Sequence, residues 1–324
     1  MQKICVNMEY LILILSLAGI VLGADFLVKG AVVVARKCRV SSFVIGAVIV
    51  GIGTSLPELV VSTVGAIGGN SEVAIGNVVG SNIFNVFAIL GLTALFFPIA
   101  VSRENMKFEI PFCIAVSILL MLLVYNFFVV GGPRLGRWDG VALLLVFTAF
   151  MWISLRRGKN SAAAVGESVE EENKSLWFAA FSILGGLAAL IVSSNFFVDE
   201  AVAIARKLGV SDAFISITLL ACGTSLPELA ASVTAAVKKD TDMALGNIIG
   251  SNIFNATMIL GTASLITPLT TGKIGLVDYG AMILAAVLPM IFGIQGKITR
   301  FEGLLMLLCY AAYTWYIVTY VMAV

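Results

Sequence analysis

The stretch Gly53-Thr54-Ser55-Leu56-Pro57-Glu58-Leu59 returns unchanged as Gly223-Thr224-Ser225-Leu226-Pro227-Glu228-Leu229, an offset of 170 residues in a chain of 324. The same offset aligns Gly76-Asn77-Val78-Val79-Gly80-Ser81-Asn82-Ile83-Phe84-Asn85 with Gly246-Asn247-Ile248-Ile249-Gly250-Ser251-Asn252-Ile253-Phe254-Asn255, and eight of those ten positions are identical. Upstream, Ala35-Arg36-Lys37 and Val40-Ser41 match Ala205-Arg206-Lys207 and Val210-Ser211 without a gap. The chain reads as two homologous halves, residues 1–156 and 175–324, joined by a linker over 157–174.

Each repeated stretch sits in an apolar run long enough to cross a bilayer. With 60% hydrophobic and 12% charged residues, the chain carries about half the charge of a soluble domain. Backbone groups in lipid must be satisfied within the segment, so the runs read as helices, and the alternating polar residues of a β-barrel are absent. The fold class expected is an all-α integral membrane protein of ten transmembrane helices, near 9–35, 42–68, 73–99, 109–130, 139–156, 175–205, 212–237, 243–268, 276–294 and 302–322. The apolar N-terminal run resembles a signal peptide, but the repeat makes it the counterpart of a mid-chain helix. The linker carries Gly158, Gly166 and Glu170-Glu171-Glu172, and reads as a solvated connection.

Five spans is an odd number, so the second half enters the membrane from the side opposite the first. Two inverted five-helix repeats place a substrate site near the midplane between them. Sorting Lys and Arg by side, with Lys29 left within a span, gives six on the N-terminal side and thirteen on the other. The positive-inside rule makes the richer side cytoplasmic, with both termini outside and the linker in the cytoplasm of a plasma (inner) membrane protein.

Glu58 and Glu228 each put a carboxylate at membrane depth, which costs about 2.5–3.5 kcal/mol on insertion scales and marks a functional position. Pro57 and Pro227 lack the N–H that would satisfy the carbonyls of Gly53 and Gly223, so each helix is expected to kink and turn carbonyl oxygens inward. Thr54 shares a face with Glu58, with Ser55 adjacent, and Thr224, Ser225 and Glu228 repeat this. In the next span Ser81 and Asn85 share a face, as do Ser251 and Asn255. Converging, these residues form an oxygen-only set suited to hard cations, of which Ca²⁺ takes about 6 to 8 ligands. Two carboxylates balance one Ca²⁺ or two monovalent ions, so the closed site is occupied or protonated, which couples one ion's passage to another's return.

Plainer roles suit the neighbours. Gly76, Gly80, Gly246 and Gly250 read as close helix contacts, and Asn77, Asn82, Asn247 and Asn252 as interhelical hydrogen bonds. Asp25 and Lys29 have the spacing of a helix ion pair, and the repeat sets Lys29 opposite Asp199, so neither these nor Glu200 read as shared ligands. The five scattered cysteines read as buried small residues. The chain contains no histidine and no basic stripe, which removes imidazole-based catalysis and zinc sites and leaves no case for a nucleic-acid partner. Ser55 and Ser225 have no evident base, so the protein is read as no enzyme and without cofactor; its partners are inorganic cations and the bilayer.

With both motif pairs in view, the whole chain resembles the cation/calcium exchanger superfamily, particularly its prokaryotic sodium/calcium exchanger branch. The resemblance implies two inverted halves whose four central helices enclose Na⁺ and Ca²⁺ sites. It assigns carboxylate ligation to Glu58 and Glu228, side-chain oxygens to Thr54, Ser55, Ser81, Asn85, Thr224, Ser225, Ser251 and Asn255, and backbone carbonyls near Gly51 and Ala221. Some members carry Asp where this chain has Asn255, so neither K⁺ dependence nor proton handling follows, and the cytoplasmic regulatory domain of animal exchangers is absent. The implied function is Na⁺/Ca²⁺ antiport by alternating access, the long first and sixth helices moving against the core. Rivals are a Ca²⁺/H⁺ antiporter and a cation channel.

Overall fold

The computed structural model describes residues 2–125, 132–160, 175–208 and 221–321. Eight helices among them are long and apolar enough to span a membrane: α1 (Met8–Lys37), α4 (Ser71–Phe96), α5 (Asn105–Tyr125), α6 (Arg137–Gly158), α7 (Leu176–Lys207), α9 (Thr241–Ile266), α10 (Leu276–Gln295) and α11 (Arg300–Thr319). A ninth span is broken into α2 (Ser42–Thr54) and α3 (Leu56–Ile67), bent by 46°. The expected seventh span is described only as a turn of helix at Ala221–Gly223 and as α8 (Leu226–Val237), since 209–220 lie outside the described residues. The end of the fourth expected span, 126–130, lies outside them too, as do linker residues 161–174.

The helix of the fifth expected span continues through Asn160, past residue 157 where the linker was expected to begin. Its basic last turn complements the helix dipole, and Arg156 stacks on Trp152 at 3.9 Å. Cys38 corrects the reading of buried cysteines. It is exposed in the turn after α1, whereas Cys113 is buried in α5.

The two halves interlock. The fifth helix of each packs on the third span of the other, α6 against α9 and α11 against α4. Sequence explains the fit. A methyl group at Gly140 would lie 2.8 Å from the Gly261 carbonyl, and one at Gly303 would lie 2.7 Å from that of Gly91, so only glycine allows these approaches. Two short antiparallel ribbons also join the halves: β1 (Ile99–Ala100) with β4 (Lys297–Ile298), and β2 (Arg134–Leu135) with β3 (Leu269–Thr270). Both fifth helices start on a side-chain cap, Asp139 accepting from Gly136 N–H at 2.7 Å and Glu302 from Thr299 N–H at 2.6 Å.

At the centre lie α2, α3, α8, α4 and α9. α9 is almost wholly buried, whereas α11 and α6 keep most of their apolar surface outward, as lipid-facing helices do. α1 and α7, about 45 and 48 Å long at 1.5 Å per residue, run against each other along their length and flank this core. Glycines at their contact, Gly23 and Gly186 among them, bring the two backbones together.

Candidate cation site

The helix breaks bring the repeated stretches face to face. Pro57 and Pro227 fall in the first turn of α3 and α8, where a missing N–H costs nothing, and the preceding Ser55 and Ser225 leave the helical region with ψ of 9° in both halves. Each serine thereby reaches the other half. Ser55 Oγ donates to Glu228 Oε1 at 2.8 Å, and Ser225 Oγ donates to Glu58 Oε1 at 2.9 Å. Thr54 lies alongside Glu228 and Thr224 alongside Glu58. Both glutamates are fully buried.

The sequence-predicted ligands converge, and several of them also bond to the protein. Ser81 Oγ lies 3.4 Å from Ser225 Oγ, within the Glu58 cluster. Asn85 and Asn255 stand one helical turn beyond Ser81 and Ser251. Thr54 donates back to the Val50 carbonyl at 3.0 Å and also reaches Asn247 Oδ1 at 3.3 Å. Ser251 donates to the Gly51 carbonyl at 3.2 Å, so that carbonyl, expected to face ions, is engaged by the opposite half.

The asparagines read as interhelical bonds serve that purpose. Asn77 Nδ2 donates to the Glu58 carbonyl and to Ser62, and Asn247 Nδ2 to the Glu228 carbonyl and to Ser232. Asn82 and Asn252 donate to each other's main-chain carbonyls at 3.0 and 3.1 Å. Of the glycines, Gly246 and Gly250 press against Phe43 and Ala47 as expected, whereas a methyl group added at Gly76 or Gly80 would meet nothing closer than 3.6 Å among the described residues.

Two features escaped the sequence reading. Ser62 and Ser232 were detectable, since each follows its glutamate by four residues and recurs at the repeat offset. The second left no signal: the chain widens into a π-helical turn starting at each candidate asparagine, Asn85–Leu90 and Asn255–Ile259. Such turns insert one residue into a helix and concentrate at functional sites.

What remains is a set of oxygens with nothing to accept. Glu58 Oε2, Glu228 Oε2, Asn85 Oδ1 and Asn255 Oδ1 are buried and take no hydrogen bond from any described residue. Buried acceptors are normally satisfied, and two buried carboxylates without a basic partner ask for positive charge. Among the described residues no group of three or more His, Cys, Asp or Glu forms a chelate, so any ion held here relies on neutral oxygens beside the carboxylates. Oxygen sets of this kind suit hard cations.

The family model described as "Sodium/calcium exchanger protein" matches residues 8–156 and 178–319, both halves of the chain. The chain belongs to the sodium/calcium exchanger family. Sodium/calcium exchanger MaX1 of Methanosarcina acetivorans is 34% identical, the alignment covering 95% of this chain and 98% of that one. Inner membrane protein YrbG of Escherichia coli is 34% identical over 86% of each. Among solved structures, the sodium-calcium exchanger NCX_Mj superposes with a TM-score of 0.82 at 32% identity, covering 97% of this chain and 99% of that one. Exchanger membership accounts for the duplicated stretches, and the interlocked helical architecture is that of a membrane exchanger.

Proposed function

We propose that the protein is a secondary antiporter that exchanges Na⁺ for Ca²⁺ across the membrane by alternating access. Glu58 and Glu228 are the carboxylate ligands; Thr54, Ser55, Ser81, Asn85, Thr224, Ser225, Ser251 and Asn255 line the path with oxygen. One observation carries the reading: each half's serine holds the other half's glutamate, so a single ion pool is bounded by both repeats. Two carboxylates neutralise one Ca²⁺ or two Na⁺, and a dianionic site crossing the bilayer without its cation is expensive. Na⁺ and Ca²⁺ are cargo here, and the chain needs no covalent step and no cofactor.

The halves are 1–156 and 175–324, meeting at the midplane with 157–174 as connector, and the excess of Lys and Arg on the connector's side is the reason for reading the termini as outside and the connector as cytoplasmic. Support comes from the ribbons, since β1 pairs with β4 and β2 with β3, ends that a five-plus-five inverted topology puts on common sides. The Escherichia coli relative YrbG is an inner membrane protein, which supports the inner membrane for this chain. α1 and α7, packed on each other at the core's flank, are the elements whose sliding opens the site to alternate sides.

Reconstitution tests this. Ca²⁺ uptake into Na⁺-loaded proteoliposomes is expected under an outward Na⁺ gradient. Uptake driven by a pH gradient alone, or Ca²⁺ conductance with no counter-ion dependence, overturns the reading.

A further inference from the structure

We propose that Asn82 and Asn252 are positioning residues that dictate which end of the Asn255 and Asn85 amides faces the ions, giving the exchange site a lining of oxygen alone. The inference deepens the function proposed above and rests on it.

A primary amide has a donor end and an acceptor end of nearly the same shape, so its packing alone does not select an orientation. For a cation ligand the choice decides everything, because the wrong end presents N–H to positive charge. Nothing local to Asn85 makes that choice. It is made through Asn252 of the opposite half, at a main-chain carbonyl whose polarity cannot change.

Asn252 Nδ2 donates to the main-chain carbonyl of Asn82 at 3.1 Å. A carbonyl only accepts, so the Asn252 amide has one permitted orientation, with Oδ1 at its other end. That Oδ1 receives Asn85 Nδ2 at 3.0 Å, which fixes the Asn85 amide in turn and releases its Oδ1, buried and unpartnered. The second half repeats the relay. Asn82 Nδ2 donates to the Asn252 carbonyl at 3.0 Å, Asn82 Oδ1 accepts from Asn255 Nδ2 at 3.1 Å, and Asn255 Oδ1 is left buried and unpartnered.

All four side chains are buried, so water does not relax the constraint. Flipping Asn85 would set its oxygen against Asn252 Oδ1 and leave N–H groups facing the site, and both changes are unfavourable in a buried place. Two main-chain carbonyls therefore determine, through two asparagines that bind no ion, that two others offer oxygen.

The experiment must separate orienting an amide from clamping two helices. In Ca²⁺ titrations of Na⁺-driven uptake by the reconstituted full chain, Asn252→Leu is expected to raise half-saturating Ca²⁺ about tenfold, the cost of one misoriented buried ligand. In an Asn85→Asp background both ends of the side chain are oxygen and nothing needs orienting. There the same Asn252→Leu change is expected to cost less than about twofold, a non-additivity diagnostic of coupling. Asn82→Leu with and without Asn255→Asp is the mirror cycle, with alanine in place of leucine where leucine does not pack.

The Ca²⁺-induced rise in melting temperature of detergent-purified protein reads binding without transport, alongside the ion-free melting temperature as the measure of fold. Wild-type protein that binds Ca²⁺ without Na⁺-driven uptake strikes the exchange reading, and the cycles are then scored on the melting shift. Equal leucine penalties in both backgrounds overturn the proposal. So does a lowered ion-free melting temperature with unchanged Ca²⁺ dependence, or failure of every leucine and alanine variant to fold, since each describes a clamp.

Discussion

The two halves are nearly the same molecule at the site and different molecules at the edge of the core. At the site the bonds to the glutamates are mirrored, Ser55 to Glu228 and Ser225 to Glu58, Asn77 to the Glu58 carbonyl and Asn247 to that of Glu228, while Thr54 to Asn247 and Ser251 to Gly51 have no described counterpart. At the flank, Asp25 of α1 binds Lys29 at 2.6 Å and Lys238, beyond the end of α8, at 2.7 Å. The repeat equivalents of Asp25 and Lys238 are Asn195 and Gly68, neither charged. In an inverted-repeat carrier the halves exchange conformations as the site changes sides. Symmetry is thus kept where both states need the same ligands, and given up where one state is to be favoured.

The largest test of the symmetric part is Glu58→Gln against Glu228→Gln. Each removes half the charge that binds the cation, and each is expected to reduce Na⁺-driven Ca²⁺ uptake by about a hundredfold or more, in line with the cost of leaving a buried site under-compensated. Normal expression with unchanged transport in either variant would remove that glutamate from the site.

Ser55→Ala and Ser225→Ala come next. Each deletes one hydrogen bond to a buried carboxylate and is expected to raise half-saturating Ca²⁺ about tenfold, by equal amounts. A pair of unequal values would show that the halves contribute differently to the bound ion.

The asymmetric part predicts a smaller, directional effect. Asp25→Asn breaks both ion pairs on α1 and is expected to change the ratio of Ca²⁺ half-saturation measured from the two membrane faces by about two- to fivefold, since a partly exposed pair is worth at most about 1 kcal/mol. Lys238→Met should shift the ratio in the same direction. An unchanged ratio in both would reduce the pair to decoration.

The smallest effect lies at the start of the third spans. Asp240 caps α9 by accepting from Met243 N–H at 3.0 Å, while its equivalent Asn70 makes no such bond at α4. Burial pushes the Asp240 carboxyl above the ordinary aspartate range, opposed by the Met243 N–H, Ser42 and the Arg36 charge. Asp240→Ala is expected to cost about 1 kcal/mol of stability and Asn70→Ala close to none, read from melting temperatures.

The candidate site was legible because its residues violate what lipid otherwise demands. Glu58, Glu228, Pro57 and Pro227 stand out in apolar runs, and repetition at one offset ties them together. Its wiring was not legible. The family resemblance offered the Gly51 carbonyl as a ligand, but nothing in the sequence announced that Ser251 would donate to it, a contact made between helices 200 residues apart. The π-helical turns at Asn85 and Asn255 left no trace either, because a one-residue widening alters no composition or period.

The amino-acid sequence alone determined the duplication, the helical membrane-spanning class, and the oxygen-only chemistry of the repeated stretches. These are properties of residue order and residue type, which hydrophobicity and backbone constraint translate directly. Only the tertiary structure decided that each glutamate is held by the other half's serine, that each fifth helix packs on the opposite half, and that asparagine amides point oxygen-first. Those outcomes depend on which hydrogen-bonding groups meet across helices far apart in the chain, and local periodicity carries no record of that meeting.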